Sequence, residues 1–185
     1  MREEETFMDL VQKALELGFT HAAPLDPKTL AALPEVREMC AADKCHTYGR
    51  NWTCPPECGT LEECEAQMRE RRKGVLVQTV GELRSAFDAK GMLEILQRHQ
   101  KQFLTLADMA RAAWPDALCL GAGGCPVCPK CAWPEPCRFP DKACPSMEGY
   151  GLMVARVCKE NGLAAHYGKG TLTYVACVLY DTETA

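Results

Sequence analysis

Two segments of the chain carry most of its cysteines, and their spacing constrains the fold more than any other feature. The first reads CHTYGRNWTCPPEC over residues 45–58, and the second reads GGCPVCPKCAWPEPCRFPDKACPS over residues 123–146. Prolines and glycines interrupt both segments and break the periodicity of a helix or a strand. We therefore expect two irregular cysteine loops, at about residues 40–64 and 125–145, carried by one domain of residues 1–185.

The second loop has the more specific spacing. Cys125, Cys128 and Cys131 form C-x2-C-x2-C, and Cys137 follows after five residues. Three evenly spaced thiolates can occupy three corners of an iron-sulfur cubane, whereas structural zinc sites usually pair two C-x2-C units across a longer spacer. The spacing favours a 4Fe-4S cluster over zinc, and it leaves open whether Cys137 serves its own cluster or a neighbouring one.

The first loop supplies a second set of candidate ligands. Cys40, Cys45, Cys54 and Cys58 are spaced C-x4-C-x8-C-x3-C. Cys64 competes with Cys58 for the fourth place, because it falls in the first turn of the next predicted helix, where the helix dipole favours a thiolate. The spacing slightly favours Cys58 and does not settle the choice.

Other cysteines and histidines follow the apolar pattern of predicted core elements. Cys119, Cys158 and Cys177 alternate with aliphatic residues, so we expect them in the core. His99 lies on the apolar seam of a long predicted helix and is expected to be a core or boundary residue. His46 is expected to be an exposed loop histidine.

Composition narrows the class of protein. Thirteen cysteines in 185 residues, with no signal peptide or long apolar run, predict a soluble cytoplasmic protein with reduced thiols. The net charge of -4 gives no reason to expect nucleic acid or an anionic membrane as a partner. The basic run Arg69, Arg71, Arg72 and Lys73 follows several glutamates, so we expect a solvated face with paired charges.

Periodicity predicts an α/β fold, with helices packed on a small mixed sheet as an α+β sandwich. Helices are expected at residues 5–17, 60–73, 85–113 and from Ser146 to Gly162. Residues 25–39 are expected to be a connector. Thr60 and Glu63 form a capping-box signature for the second helix. Strands are expected at residues 74–80 and 117–124, and residues 163–168 and 171–180 are expected to form a hairpin.

Several motifs in order resemble a known family. They are C-x4-C-x2-YG-x-NW-x-CPP, GGC-x2-C-x2-C, PCRFP, PSME-x-YG and a C-terminal TLTY, and they extend from about Leu25 to Tyr180. This order resembles the predicted metal-binding family catalogued as domain of unknown function 2284. The resemblance implies metal binding through the cysteines and a distribution among anaerobic bacteria and archaea, and it implies that Cys144 is not a ligand. It implies no particular activity.

Three functions fit these patterns. The favoured one is an iron-sulfur protein with two 4Fe-4S clusters that passes electrons to a redox partner protein. The second is a redox enzyme in which one cluster binds or reduces a small substrate beside Tyr48 and Arg50. The third is a zinc-stabilised binding module. Further polar and aromatic residues are candidates to support a cluster or to bind a partner, namely Asn51, Trp52, Arg138, Tyr150 and Tyr167.

Overall fold

A four-stranded sheet lies at the centre of the computed structural model, which describes residues 10–181. The strands are in the spatial order β1-β2-β4-β3, and every neighbouring pair is antiparallel. Their bounds are β1 (His21–Leu25), β2 (Lys73–Glu82), β3 (Leu118–Leu120) and β4 (Thr171–Tyr180). The two long strands pair along their whole length, from Lys73 opposite Tyr180 to Glu82 opposite Thr171.

Both faces of the two long strands are buried, which explains their nearly continuous apolar sequences. Successive side chains of a strand point to opposite faces. Val75 and Val77 therefore join one apolar cluster, together with Val178. Leu76 joins the other cluster, together with Cys177 and Leu179.

Helices cover both faces of the sheet. The first helix, α1, is described over residues 10–16, and the others are α2 (Pro34–Ala41), α3 (Leu61–Arg69), α4 (Ala89–Ala113) and α5 (Val154–Glu160). Helices α1 and α4 supply the first cluster with residues such as Leu10 and Phe103. Helices α3 and α5 supply the second with residues such as Met68 and Val157. Within residues 10–181, none of the helices has the length and apolar character needed to cross a membrane.

The expected α/β architecture, a small sheet with packed helices, is confirmed. Parallel pairing is limited, among the described residues, to one isolated bridge between Gly121 and Ser146, outside the four strands. The capping box of Thr60 and Glu63 is present at the start of α3. The predicted strand at 74–80 and the long helix are also present, and the predicted helix at 5–17 is seen over its described part, since residues 5–9 lie outside the described range.

Two predictions were wrong, one for residues 25–39 and one for residues 163–168. Residues 25–39 are not only connector, because β1 ends at Leu25 and α2 begins at Pro34. Proline is well tolerated in the first turn of a helix, so Pro34 starts this helix rather than preventing it. Residues 163–168 do not form a strand, and β4 instead pairs with β2 and β3.

The predicted helix from Ser146 to Gly162 is broken into two pieces. A 3-10 turn covers Glu148–Tyr150, and α5 begins only at Val154. The break occurs at Gly151, whose φ of 78° is left-handed and ends the first turn. Ser146 is not the N-cap residue of the first piece, which is Met147, but its hydroxyl accepts a hydrogen bond of 2.9 Å from the Gly149 amide. The break places the backbone of Glu148 and Gly149 against the first cysteine loop.

Candidate metal centres

Three thiols of the first loop line a cavity at one end of the sheet. The cavity has a volume of about 380 Å³ and is lined by Cys40, Cys45 and Cys54. Cys40 comes from the last turn of α2, while Cys45 and Cys54 come from the irregular segment that follows it. The opposite wall is built from the residues after β3 and the start of β4. Hydroxyl side chains add polar groups to the lining, namely Thr47, Tyr48, Ser146, Thr173 and Tyr174.

Thr47 connects two of these thiols. Its hydroxyl oxygen accepts a hydrogen bond of 3.3 Å from the Cys54 thiol, and it lies 3.1 Å from Cys45 Sγ. The segment between the two cysteines is folded back on itself, with left-handed backbone at His46 and Gly49. This turn brings together thiols that are nine positions apart in the sequence.

Cys58 and Cys64 form a separate pair around Arg37. Arg37 Nη2 lies 3.7 Å from Cys58 Sγ and 3.4 Å from Cys64 Sγ, and it donates a hydrogen bond of 2.8 Å to the Gly59 carbonyl. Arg37 Nε donates a second bond of 2.9 Å to the Gly149 carbonyl. Neither cysteine of this pair is among the residues that line the 380 Å³ cavity.

The two groups of thiols differ in their electrostatics. Burial raises the pKa of Cys40 and of Cys54, and repulsion from the neighbouring Cys45 adds to both shifts. In the other pair, the hydrogen bond between the two thiols raises the pKa of Cys58 and lowers the pKa of Cys64. The positive charge of Arg37 lowers the pKa of Cys64 further, because it stabilises the thiolate. Buried thiolates at Cys40 and Cys54 therefore need a compensating positive charge, which a metal ion supplies.

The four cysteines of the second loop lie around one narrow cavity. Cys125, Cys128, Cys131 and Cys137 all line it, and its volume is about 20 Å³. The loop is half-exposed at these cysteines and has no regular secondary structure. A cluster of several atoms is larger than this space, so binding one here requires the exposed loop to move outward.

The two cavities share a wall. Asn51, Trp52 and Thr53 line the second cavity, and the next residue, Cys54, lines the first. Asn51 and Thr53 are buried, and the Asn51 side-chain oxygen accepts hydrogen bonds of 3.0 and 2.9 Å from the Thr53 amide and hydroxyl. Beyond burial and the effect of Cys45, repulsion from Cys131 contributes to the raised pKa of Cys54. One short segment therefore separates the two groups of cysteines.

The donor sets fit soft metals. Thiolates are the ligands that zinc, copper(I) and iron-sulfur clusters prefer. Among residues 10–181, no three Cys, His, Asp or Glu side chains approach closely enough to surround one metal ion. The candidate ligands are instead distributed around cavities, three thiols at the first and four at the second.

The polar and aromatic candidates divide between the two sites. Tyr48 lines the first cavity, while Arg50 is exposed and forms an ion pair with Asp43. Asn51 and Trp52, although they belong to the first loop, line the second cavity. Trp52 is held there by a hydrogen bond of 2.8 Å from Nε1 to the Glu135 carbonyl.

The remaining three candidates have structural partners. Arg138 lines the second cavity and donates a hydrogen bond of 3.0 Å to the Lys130 carbonyl. The Tyr150 hydroxyl donates to the Gln67 side chain at 2.8 Å. Tyr167 is not a lining residue of either cavity, and its hydroxyl donates to the Gln78 side chain at 2.6 Å.

The predicted core residues are buried as expected. Cys119, Cys158 and Cys177 are each at most 1% exposed. Cys144 is buried beside Arg111, whose Nη2 lies 3.5 Å from its sulfur. His99 is fully buried in the core beside Phe19 and Phe103.

Three of the four residues of the basic run form ion pairs, as predicted. Arg69 contacts Glu65 at 2.8 Å, Arg71 contacts Glu70 at 3.1 Å and Arg72 contacts Asp181 at 3.5 Å. Exposed pairs of this kind contribute little to stability.

Two residues of the sites were missed from sequence. Arg37 was assigned to a connector, although it precedes Cys40 by three residues and such residues lie on the same side of a helix. Recognising the helix would have placed a guanidinium beside the cysteines. Thr47 lies inside the quoted motif, and a hydroxyl two residues after a cysteine is a recognisable hydrogen-bond partner for sulfur.

No curated protein and no solved structure matches the chain. The model of a family described as "Predicted metal-binding protein (DUF2284)" matches residues 5–180, which is nearly the whole chain. The match includes both cysteine loops, both cavities and the segment between them. The chain therefore belongs to the DUF2284 family of predicted metal-binding proteins.

Proposed function

We propose that the chain is an iron-sulfur protein that carries two 4Fe-4S clusters and passes electrons between them and a partner protein. The shared wall of the two cysteine cavities is the observation that carries this proposal. Thr53 lines one cavity and Cys54 the other, so clusters held in the two cavities would be separated by a short buried segment. Close clusters can exchange single electrons without any catalytic side chain between them.

The distribution of the thiols supports a cluster over a single zinc ion. All four ligands of a zinc ion lie within about 2.3 Å of one point. In a cubane, each thiolate binds a different iron, so the thiols surround a larger volume. The three thiols of the first loop line a cavity of about 380 Å³, and the four thiols of the second loop line a narrow cavity that would have to widen to hold a cluster.

The state of the cysteines supports a reducing compartment. All thirteen lie within the described residues and all are free thiols. Reduced thiols at this density are typical of a metal-binding protein of the cytoplasm. We propose a cytoplasmic location on this basis; the redox partner protein follows only from the proposed electron transfer.

Metal analysis tests the proposal most directly. The protein is purified under anaerobic conditions, and iron, acid-labile sulfide and zinc are measured per chain. We expect a brown protein with about eight iron and about eight sulfide. A colourless protein with zinc and without sulfide would contradict the proposal and favour the zinc-stabilised binding module.

Single-site variants identify the ligands of each site. Cys128→Ser should remove the second cluster and Cys45→Ser the first, so each should reduce the iron content to about half. Cys177→Ser is the matched control, because Cys177 is buried in the core and its side chain lines neither cavity. Its iron content should equal that of the wild type if the variant folds.

A further inference from the structure

We infer that the chain provides only three thiolates to the first site, from Cys40, Cys45 and Cys54, and that the fourth position is open to a small ligand in the 380 Å³ cavity. This inference rests on the proposed function and deepens it. It assigns Cys58 and Cys64 to a separate role as a thiol pair bound by Arg37. The first site would then bind a substrate, whereas the second site, with four thiolates, would only transfer electrons.

The position of Cys58 is the first step of the argument. Its sulfur faces Arg37 at 3.7 Å and the Gly149 carbonyl at 3.5 Å. Cys64 is completely buried, and its sulfur lies 3.4 Å from Arg37 Nη2. Both possible fourth ligands therefore already have partners, and neither lines the cavity.

The anchoring of Arg37 is the second step. Two carbonyls, those of Gly59 and Gly149, accept hydrogen bonds of 2.8 and 2.9 Å from its guanidinium. These bonds fix the guanidinium between α2, the start of α3 and the 3-10 turn. Charge-assisted hydrogen bonds to Arg are among the stronger ones in proteins, so moving Cys58 to the first site would disrupt an established network.

The space beside the three thiols is the third step. A volume of about 380 Å³ falls in the range of small-molecule sites, which is about 300–1,000 Å³. The second cavity, with four thiols, has only about 20 Å³. Of the two cavities, only the first has a volume in the range of small-molecule sites.

The lining indicates the class of ligand. Among residues 10–181, Glu148 is the carboxylate that lines the cavity, and no lysine, arginine or histidine of this range lines it. Arg50, the nearest basic candidate in the sequence motif, is paired with Asp43. Hydroxyls such as Thr47, Ser146 and Tyr48 can bind a polar group. These features favour a small neutral molecule with a nitrogen or oxygen donor, and they disfavour an anion.

Controlled oxidation tests the number of thiolates. An iron without a protein thiolate is the one most easily lost when the cluster is oxidised. On loss of one electron to ferricyanide and release of one Fe²⁺, a [4Fe-4S]²⁺ cluster becomes [3Fe-4S]⁺, which has its own electron paramagnetic resonance signal. We expect the wild type to lose about one iron per chain and to regain it with Fe²⁺ and a reductant. Release of no iron, with both clusters unchanged, would overturn the inference.

Variants of the pair provide the second readout. Cys58→Ser should keep the wild-type iron content and the same oxidation behaviour, while Cys40→Ser should lose the first cluster. Cys64→Ser is the stricter test, and the intact signal of the second cluster shows in the same sample that the variant has folded. Loss of the first cluster in Cys58→Ser or Cys64→Ser would identify a fourth thiolate and overturn the inference. Absence of iron from the wild type would instead contradict the proposed function.

Small probes test the class of ligand. Imidazole serves as the neutral nitrogen donor and azide as the anion, and the resonance spectrum of the reduced first cluster reports binding. We expect imidazole to change this spectrum and azide to bind more weakly. Glu148→Gln should strengthen azide binding by about tenfold, because a like charge beside the site is removed. Equal binding of both probes to the wild type, or no effect of imidazole, would overturn the assignment of a neutral ligand.

Discussion

His99 shows how one buried residue couples the fold to pH. Its Nδ1 lies 2.8 Å from the Thr79 hydroxyl, and that hydroxyl is 3.2 Å from the Gln102 side-chain oxygen. Thr79 donates to Gln102, so its oxygen accepts from Nδ1-H, and the ring is neutral. Nε2 is buried and has no hydrogen-bond partner among the described residues. Burial therefore lowers the pKa of His99 to about 3.

We expect His99 to destabilise the fold at acid pH. The unfolded imidazole takes up a proton below about pH 6.5, whereas the folded one does so only near pH 3. The free energy of unfolding should therefore decrease as the pH falls between these values, by up to about 1.4 kcal/mol per pH unit from this residue. Urea unfolding of the wild type and His99→Leu, at a series of pH values, measures the difference.

The leucine variant is a suitable comparison because Thr79 keeps its bond to Gln102. The pH dependence that remains in His99→Leu reports all other groups, including the cysteine sites. If the free energy of unfolding changed with pH at the same rate in both proteins between pH 6.5 and 5, His99 would not titrate in this way.

At the scale of elements, Gly151 determines where two helical pieces separate. Its φ is 78°, and an added Cβ would lie 2.7 Å from a Leu61 side-chain carbon and 3.0 Å from the Leu33 backbone nitrogen. The Gly151 carbonyl also accepts a hydrogen bond of 2.8 Å from that same Leu33 nitrogen. Gly151 therefore joins the 3-10 turn to the segment that leads into α2.

Gly151→Ala should destabilise the protein more than Gly162→Ala. Both glycines are left-handed, with φ values of 78° and 77°, so an alanine pays the same backbone cost of about 1 kcal/mol at each. Only Gly151 has close neighbours, since nothing lies within 4 Å of the position of a Cβ at Gly162. The difference in unfolding free energy between the two variants isolates the steric cost, and equal values would contradict the packing described here.

The elements that were predicted correctly carry strong local signals. β2 is a continuous apolar run, α4 has a long apolar seam, and α3 begins with the capping box of Thr60 and Glu63. The break at Gly151 was missed because the apolar spacing continues across it from Met147 to Val157. Apolar periodicity does not reveal a single residue with a left-handed backbone conformation.

At the scale of the whole molecule, the two cysteine sites belong to one end of the fold. The first cavity lies between the loop after α2, the end of β3 and the start of β4. The second loop follows β3 directly and contacts the first through Trp52 and Glu135. The sheet therefore holds two segments together that are about seventy residues apart in the chain.

Together with the proposed function, this arrangement predicts magnetic coupling between the two proposed clusters. With both clusters reduced, the resonance spectrum of the wild type should be broader than the sum of the spectra of Cys45→Ser and Cys128→Ser, because unpaired spins on nearby clusters interact. The two variants must each retain one cluster for the comparison. A wild-type spectrum equal to the sum would show that the sites are too far apart for the proposed electron transfer.

The sequence by itself determined the composition of the sites and most of the long elements. Cysteine spacing, apolar periodicity and capping residues are local, because they depend on residues within a few turns of one another. They predicted both cysteine loops and an α/β core with Cys119, Cys158 and Cys177 inside it. They also supported the membership in a metal-binding family that the comparison shows.

Only the tertiary structure decided which thiols face the same space. Cys54 and Cys58 are only four positions apart in the sequence, yet Cys54 lines the first cavity and Cys58 lies against Arg37. That separation depends on Gly149, more than ninety positions away, whose carbonyl binds Arg37 and contacts Cys58. Such contacts have no local signature, because they are created by the packing of distant segments on one sheet. The number of thiolates at the first site is therefore a property of the folded chain.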